Sequence, residues 1–490
     1  MDSPSGAIPE RSEDELSNVS RLSSRKDEVP PETGRAPHSV PADDLIAAGK
    51  RLRDRVSRSS QGAWKRPRDR ADPLEALRAS DAGRMPELVP IRYGRMLQTP
   101  FTFYRGSAGV MAADLSTMPT TGIRVQACGD CHLLNFGGFA TPERNIVFDI
   151  NDFDETLPAP WEWDVKRLVA SFVLAARSNG MSDAAGKAAA VACARSYRQR
   201  LREVAELSPL EAWYSRISAD DFVQRLDGSD LKKSVRHRID KAREQGASEV
   251  DFPKLAEMVG GQVQIKDQPP LIFHLDSQRE VGFRAAVDEI LAKYRQTLPD
   301  DRRALFDRYR LVDLAIKVVG IGSVGRYCAI GLFMSSSNKP LFLQFKQAVE
   351  SVLEPYAGKS LHGHSGERVV MGQRLMQASS DIFLGWLTGL EGRHVYVRQL
   401  RDAKIKPLVE TFDRSMLEIY GGMCGWALAL AHGRASHPWL LSGYLGTSAA
   451  FDEAMGDFAV AYADQAEQDH AALKAAVRAG KIEVRTEEGR

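Results

Sequence analysis

The segment GDCHLLNFGGFATPERNIVFDINDFDE, residues 129–155, gathers the side chains of this chain best suited to phosphoryl chemistry. Asp130 and Asn135 lie five positions apart with His132 between them. A loop of this type leaves a strand, points one carboxylate at a nucleophile and turns an amide oxygen toward a metal. The run that follows supplies Asp149, Asp152, Asp154 and Glu155. Hard oxygen ligands in this number suit Mg²⁺, which keeps several waters and bridges phosphate oxygens. The competing reading is structural: the carboxylates cap turns and bind neighbours such as Arg105 or Arg167. The same stretch holds a literal C-x-x-C-H at Cys128–His132, the attachment pattern of c-type haem. Covalent haem normally needs an exported chain, and the N-terminus lacks the charged-then-apolar pattern of a secretory signal. A zinc pair at Cys128 and Cys131 lacks a second cysteine pair downstream.

A second constellation lies about two hundred residues further on. Gly320-Ile-Gly322-Ser323-Val-Gly325 is a G-x-G-x-x-G between two apolar runs. A dinucleotide site would place it between a strand and a helix. Here RYCAIGLF follows, which reads as strand, and the next apolar strand, PLFLQFK, ends on Lys346. Glycines in such a turn let backbone N–H groups approach phosphates.

Together these residues resemble the catalytic core of the protein-kinase-like superfamily, particularly aminoglycoside phosphotransferases and related small-molecule kinases. The resemblance implies ATP and Mg²⁺ as cofactors and an acceptor hydroxyl of unknown identity. Asp130 would orient or deprotonate that hydroxyl, His132 would fix the loop, and Asn135 and Asp152 would hold the metal. Asp149 competes with Asp152, because the strand NIVFD could end there. Asp164 matches the aspartate that opens the next helix in those kinases. Gly320, Gly322, Ser323 and Gly325 would cover the phosphates, Lys346 would contact them, and Glu350 or Glu367 would pair with Lys346. The order departs from the kinase pattern, since the glycines and lysine follow the catalytic loop. The fold class this implies is α+β, protein-kinase-like, helix-rich and two-lobed; either the lobes are circularly permuted or one half of the resemblance is spurious. Nucleotidyl transfer, or non-catalytic nucleotide sensing or scaffolding, would use the same parts.

A further resemblance rests on LVPIRYGRM, PFTFYRG, GDCHLLNFG, FDINDFDE, PWEWDVKRL, VGIGSVG, LFLQFKQA, GQRLMQ and LGW. Across about residues 70–435 these segments resemble DUF2252, a widespread bacterial family of unknown function. That resemblance supplies no substrate.

The elements that must position these residues are partly visible. Short β-like runs are expected at 122–130 and 145–152, and helices at 161–180 and 182–207, the second opened by Ser182 or Asp183. Residues 208–310 read as charged and mostly helical, 313–353 as strand, turn, strand, loop and strand, 366–379 as helix and 394–400 as strand. Residues 1–45 are poor in large apolar groups and are expected to be a disordered tail, with order beginning near Asp72. The division expected is 46–310 around the catalytic loop, 311–410 around the glycine-rich loop, and C-terminal helices over 411–490. The arginines between Arg51 and Arg70 read as a solvated helix and loop.

The chain has 490 residues, 66 Lys+Arg and 65 Asp+Glu, for a formal net charge of +1. That balance gives no general reason to expect nucleic acid or an anionic membrane as partner. No apolar run approaches a membrane span, and five cysteines do not make a disulfide framework. A cytoplasmic protein is the expectation; its oligomeric state is not readable.

Overall fold

The computed structural model describes residues 40–226, 228–244, 252–275, 282–400 and 405–486. Most of the expected disordered tail lies outside them. Its last residues do not: helix α1 spans Ala42–Arg55, so order begins about thirty residues before Asp72. The reason is tertiary. Leu45 is buried, Arg53 Nε donates to Tyr444 O at 2.8 Å, and Arg58 Nη1 donates to Leu445 O at 2.8 Å. These cations sit at the carboxyl end of a C-terminal helix, where carbonyls lack internal partners. Arg70 departs further from the solvated reading, buried between Asp114 and Asp469, each 2.6 Å away.

Five short helices lead to the central segment: α1, α2 (Pro73–Ala79), α3 (Val89–Leu97), α4 (Pro100–Gly106) and α5 (Ala108–Ser116). Strand β1 (Arg124–Ala127) pairs antiparallel with β4 (Leu157–Pro160), and β2 (Phe136–Ala140) pairs with β3 (Ile146–Ile150). Helices α6 (Trp161–Ser178) and α7 (Asp183–Glu206) follow, α7 capped by the Ser182 hydroxyl accepting from Ala185 N. The middle of the chain adds short helices α8 (Pro209–Tyr214), α9 (Ala219–Arg225) and α10 (Ser229–Glu244). It also contributes strands β5 (Ile217–Ser218), β6 (Ala256–Val259), β7 (Gln262–Ile265) and β8 (Ile272–Phe273). Helices α11 (Phe283–Gln296) and α12 (Asp300–Phe306) complete it.

The expected strand–turn–strand is present. β9 (Tyr309–Lys317), β10 (Cys328–Ser335) and β11 (Pro340–Gln347) run antiparallel, followed by α13 (Glu354–Ala357), α14 (Ser365–Met376), β12 (Gly385–Thr388) and β13 (His394–Gln399). The sheet order is β12-β13-β11-β10-β9-β8. Buried residues of α11, α12 and this sheet share one core, including Val287, Tyr294, Phe333 and Val397. Helices α15 (Arg414–Ala435), α16 (Pro438–Leu445) and α17 (Ala450–Arg478) instead share the largest core with α6 and α7. Boundaries at 310 and 410 therefore cut across both cores, because packing joins segments distant in the chain. The architecture is mixed α+β with small antiparallel sheets. No helix among the described residues is long and apolar enough to cross a membrane.

Candidate active site

Helix α6 holds the central loop with one face. Asp164 accepts from Cys128 N at 2.7 Å and Gly129 N at 3.0 Å, Arg167 Nε donates to Asp130 Oδ1 at 2.7 Å, and Ser171 Oγ accepts from Leu133 N at 3.0 Å. Positions 164, 167 and 171 repeat at the three-to-four spacing of one helical face. Asp164 thus serves the loop backbone and also meets His432 Nε2 at 3.2 Å. Strand pairing brings the two ends of the segment together. The β2–β3 hairpin sets Asn151 N 2.7 Å from Asn135 O, and the β1–β4 pair brings Gly129 against Glu155.

These contacts define one wall of a cavity of about 300 Å³ lined by Asp130, His132, Asn135, Asp152, Asp154 and Glu155. The opposite wall includes Gly320, Gly322 and Ser323 from the β9–β10 connection. Gly320 and Gly325 take φ of +70° and +84°, which the turn requires and L side chains avoid. The loop is tied down from outside: Arg95 binds Gly320 O, Arg84 binds Val324 O, and Met85 N donates to Gly325 O at 2.7 Å.

Lys346, near the end of β11, lies 194 positions from Asp152 in sequence. Its Nζ stands 3.8 Å from Asp152 Oδ1 and 2.7 Å from Asp154 Oδ2. The ammonium also lies 5.3 Å from the Tyr396 ring centroid, and the Tyr396 hydroxyl donates to Asp154 at 2.5 Å. Burial opposes the charge of Lys346, but the carboxylates of Asp152 and Asp154 prevail and raise its pKa. Neither expected helix partner is used. Glu350 bonds to Lys359 at 2.8 Å, and Glu367 faces His362 at 3.7 Å. Asp154 takes that role from the turn that follows β3, whereas α14 presents Arg368 to the Asp154 carbonyl at 2.8 Å. Gly325, Glu367 and Lys346 itself do not line the cavity; Glu350 does, from an exposed stretch after β11.

Asp149 and Asp152 are placed differently. Asp152 faces the cavity, while Asp149 is buried elsewhere on β3, with Oδ1 accepting from its own successor's amide, Ile150 N, at 2.8 Å. Burial pushes the Asp149 carboxyl up to about 6, with Arg434 and backbone amides acting in the other direction. A raised folded-state pKa means the native state holds a proton that the unfolded chain has lost between roughly pH 4 and 6. Stability contributed by this group therefore falls as pH rises through that window. Asp149→Asn is expected to stabilise the protein at pH 7 by about 2–3 kcal/mol, the gain vanishing near pH 4. Urea midpoints at the two pH values measure it, and a lower midpoint at pH 7 would show that the carboxylate is well satisfied.

Asp130 keeps one oxygen with Arg167, which also stacks its guanidinium 4.4 Å from the Tyr104 centroid. Its Oδ2 lies 3.8 Å from His132 Nε2. His132 is 4% exposed, and burial lowers its pKa to about 4, so the ring is neutral at pH 7. Its Nδ1 has no hydrogen-bond partner among the described residues. The Asn135 amide donates from Nδ2 to Asp130 O at 2.7 Å, leaving Oδ1 as an available oxygen ligand. The thiols of Cys128 and Cys131 are fully buried and, with Asp164, offer ligand atoms within 4.8 Å of one another. Burial pushes both thiols up, and Asp164 is already occupied by two amides, which leaves this group as core packing behind the loop. The two cysteines of the C-x-x-C-H pattern are exposed by 1% and 0%, which closes their thiols to solvent.

Residues 84–476 match the profile of DUF2252, described as an uncharacterized protein conserved in bacteria. The chain belongs to this family. The match runs past the segments that first carried the resemblance and takes in the C-terminal helices packed on α6 and α7. Neither curated proteins nor solved structures returned a match. Sequence reasoning counted Asp154 among the acidic ligands but not as the partner of Lys346, named Arg105 only as a structural partner of the carboxylates, and gave no role to Tyr396, Arg84 or Arg326.

Proposed function

We propose that this protein is an ATP- and Mg²⁺-dependent phosphotransferase with a kinase-like site acting on a hydroxyl-bearing acceptor. The observation that carries the reading is the 3.8 Å approach of Lys346, across 194 residues, to Asp152, which lines one cavity with Asp130 and Asn135. Asn135 Oδ1 and Asp152 form a hard oxygen set of the kind Mg²⁺ accepts. When bound, the ion would neutralise charge on the phosphates. Lys346 would contribute a fixed positive charge to the same oxygens. Asp130 would orient the acceptor hydroxyl through Oδ2 alone, since Arg167 holds Oδ1. Phosphoryl transfer tolerates this, because positioning and electrostatics supply most of its catalysis. Nucleotidyl transfer remains the second reading, as it uses the same groups.

Mg·ATP is expected to raise the melting temperature, contributing about 2.7 kcal/mol at a hundredfold excess over Kd. Asp152→Ala should abolish the shift. A parent protein unmoved by millimolar Mg·ATP would overturn the reading.

A further inference from the structure

The cavity has a second electrostatic character that the nucleotide reading leaves unused. Its acidic floor faces a wall built by Arg84, Arg92, Arg105, Arg326 and the first turn of α5. Among the described residues, Arg92 has a carboxylate within hydrogen-bond distance, Asp81 at 2.7 Å, while Arg84 lies 3.8 Å from the same group. Arg326 donates to the carbonyls of Ala82 and Ser80, at 2.6 and 3.2 Å. Burial pushes Arg84 down to about 9, and Arg92 and Arg326 push it the same way. Asp81, Asp130 and Glu155 act on Arg84, Arg105 and Arg326 only from beyond hydrogen-bond distance, so an anion held directly between these guanidinium groups would be favoured.

The helix end adds oriented donors. Ser107 provides no side-chain cap to α5, and Ala108, Gly109 and Val110, its first three residues, line the cavity. First-turn amides lack intrahelical partners and favour an oxyanion. Arg105 stands just before them with its Nε buried and unpartnered, and its charge is felt by both Asp130 and His132. The buried His132 ring lines the same space with Nδ1 unpartnered. Among the described residues these two buried nitrogens lack partners beside one uncapped helix end, the second observation that a ligand belongs here.

We propose that Arg105 and the first turn of α5 form an oxyanion subsite for the acceptor, separate from the site for the nucleotide phosphates. This rests on the phosphotransferase reading and deepens it. The acceptor is then a small hydroxyl compound that also carries a phosphate or carboxylate, held a short distance from the hydroxyl beside Asp130. Lys346 and Asp152 serve the nucleotide; Arg105 serves the acceptor.

Inorganic phosphate and acetate, each titrated calorimetrically in the presence of saturating Mg²⁺ and a non-hydrolysable ATP analogue, test this and distinguish the two anions. At least one should bind, and Arg105→Met should weaken it tenfold or more. Gly109→Asp gives an independent check that does not depend on losing a buried group. A Cβ at Gly109 meets only Val352, at 3.6 Å or beyond, and a carboxylate in the first turn suits the helix dipole. This variant should keep the parent melting temperature while excluding the anion. Competition between phosphate and the analogue would overturn the inference, as would absence of anion binding to the analogue-loaded protein. Anion binding without any analogue binding would instead remove the phosphotransferase reading and leave the anion subsite standing.

Discussion

Replacing Lys346 with methionine is expected to destabilise the protein by about 3 kcal/mol and to abolish stabilisation by Mg·ATP. The side chain is 5% exposed and is the cation between Asp152 and Asp154. Removing it leaves Asp154, 27% exposed, beside Asp152 with the Tyr396 hydroxyl donating to it and the buried Arg398 acting from further off. The partial exposure of Asp154 places the effect at the lower end for a broken buried pair. Asp154→Asn in the Lys346→Met background should recover most of the stability, since the amide oxygen still accepts from Tyr396. It should not recover nucleotide binding. Recovery of stability without binding would separate the structural role of the pair from the phosphate-contacting role. Unimpaired Mg·ATP stabilisation in Lys346→Met would remove this lysine from the site.

Gly129→Ala is the second substitution with a large expected effect. Gly129 has φ +84°, and a Cβ there would fall 2.4 Å from Glu155 O and 2.8 Å from Glu155 C. The left-handed conformation alone costs an alanine about 1–2 kcal/mol. The backbone contact adds to it, because neither segment can yield: Cys128 and Gly129 are bonded to Asp164, and Glu155 Oε2 accepts from Val352 N at 2.7 Å. A total of about 3 kcal/mol or more is expected, together with displacement of Asp130, the next residue. Gly180→Ala is the control. It shares a positive φ of +72° but has nothing within 4 Å, so only the conformational cost of about 1–2 kcal/mol applies. Equal urea midpoints for the two variants would show that the approach to Glu155 is not the constraint.

Local elements of this protein are written in local residues. The apolar run in PLFLQFK, the turn residues around Gly320 and Gly325, and the hydroxyl of Ser182 each act within a few positions, so β11, the β9–β10 turn and the start of α7 follow from sequence. The acidic segment was legible for the same reason: Asp130, Asn135 and Asp152 are close in the chain, and a single hairpin brings them together. Family membership was also carried by contiguous segments.

Tertiary structure alone decided which side chains meet across the chain. The partner of Lys346 depended on the register of β11 against β13 and on where the segment after β3 crosses the sheet, neither of which leaves a local trace. Glu350 and Glu367 were near in sequence and Asp154 was far, yet Asp154 makes the bond. The early start of order at α1 has the same cause, because its partners lie at the C-terminal end of α16. The arginine wall was invisible for that reason too: Arg84, Arg105 and Arg326 become one surface only when α2–α5 fold onto the glycine-rich turn. Sequence thus determined the chemistry available to this protein, and long-range packing determined which charges answer one another.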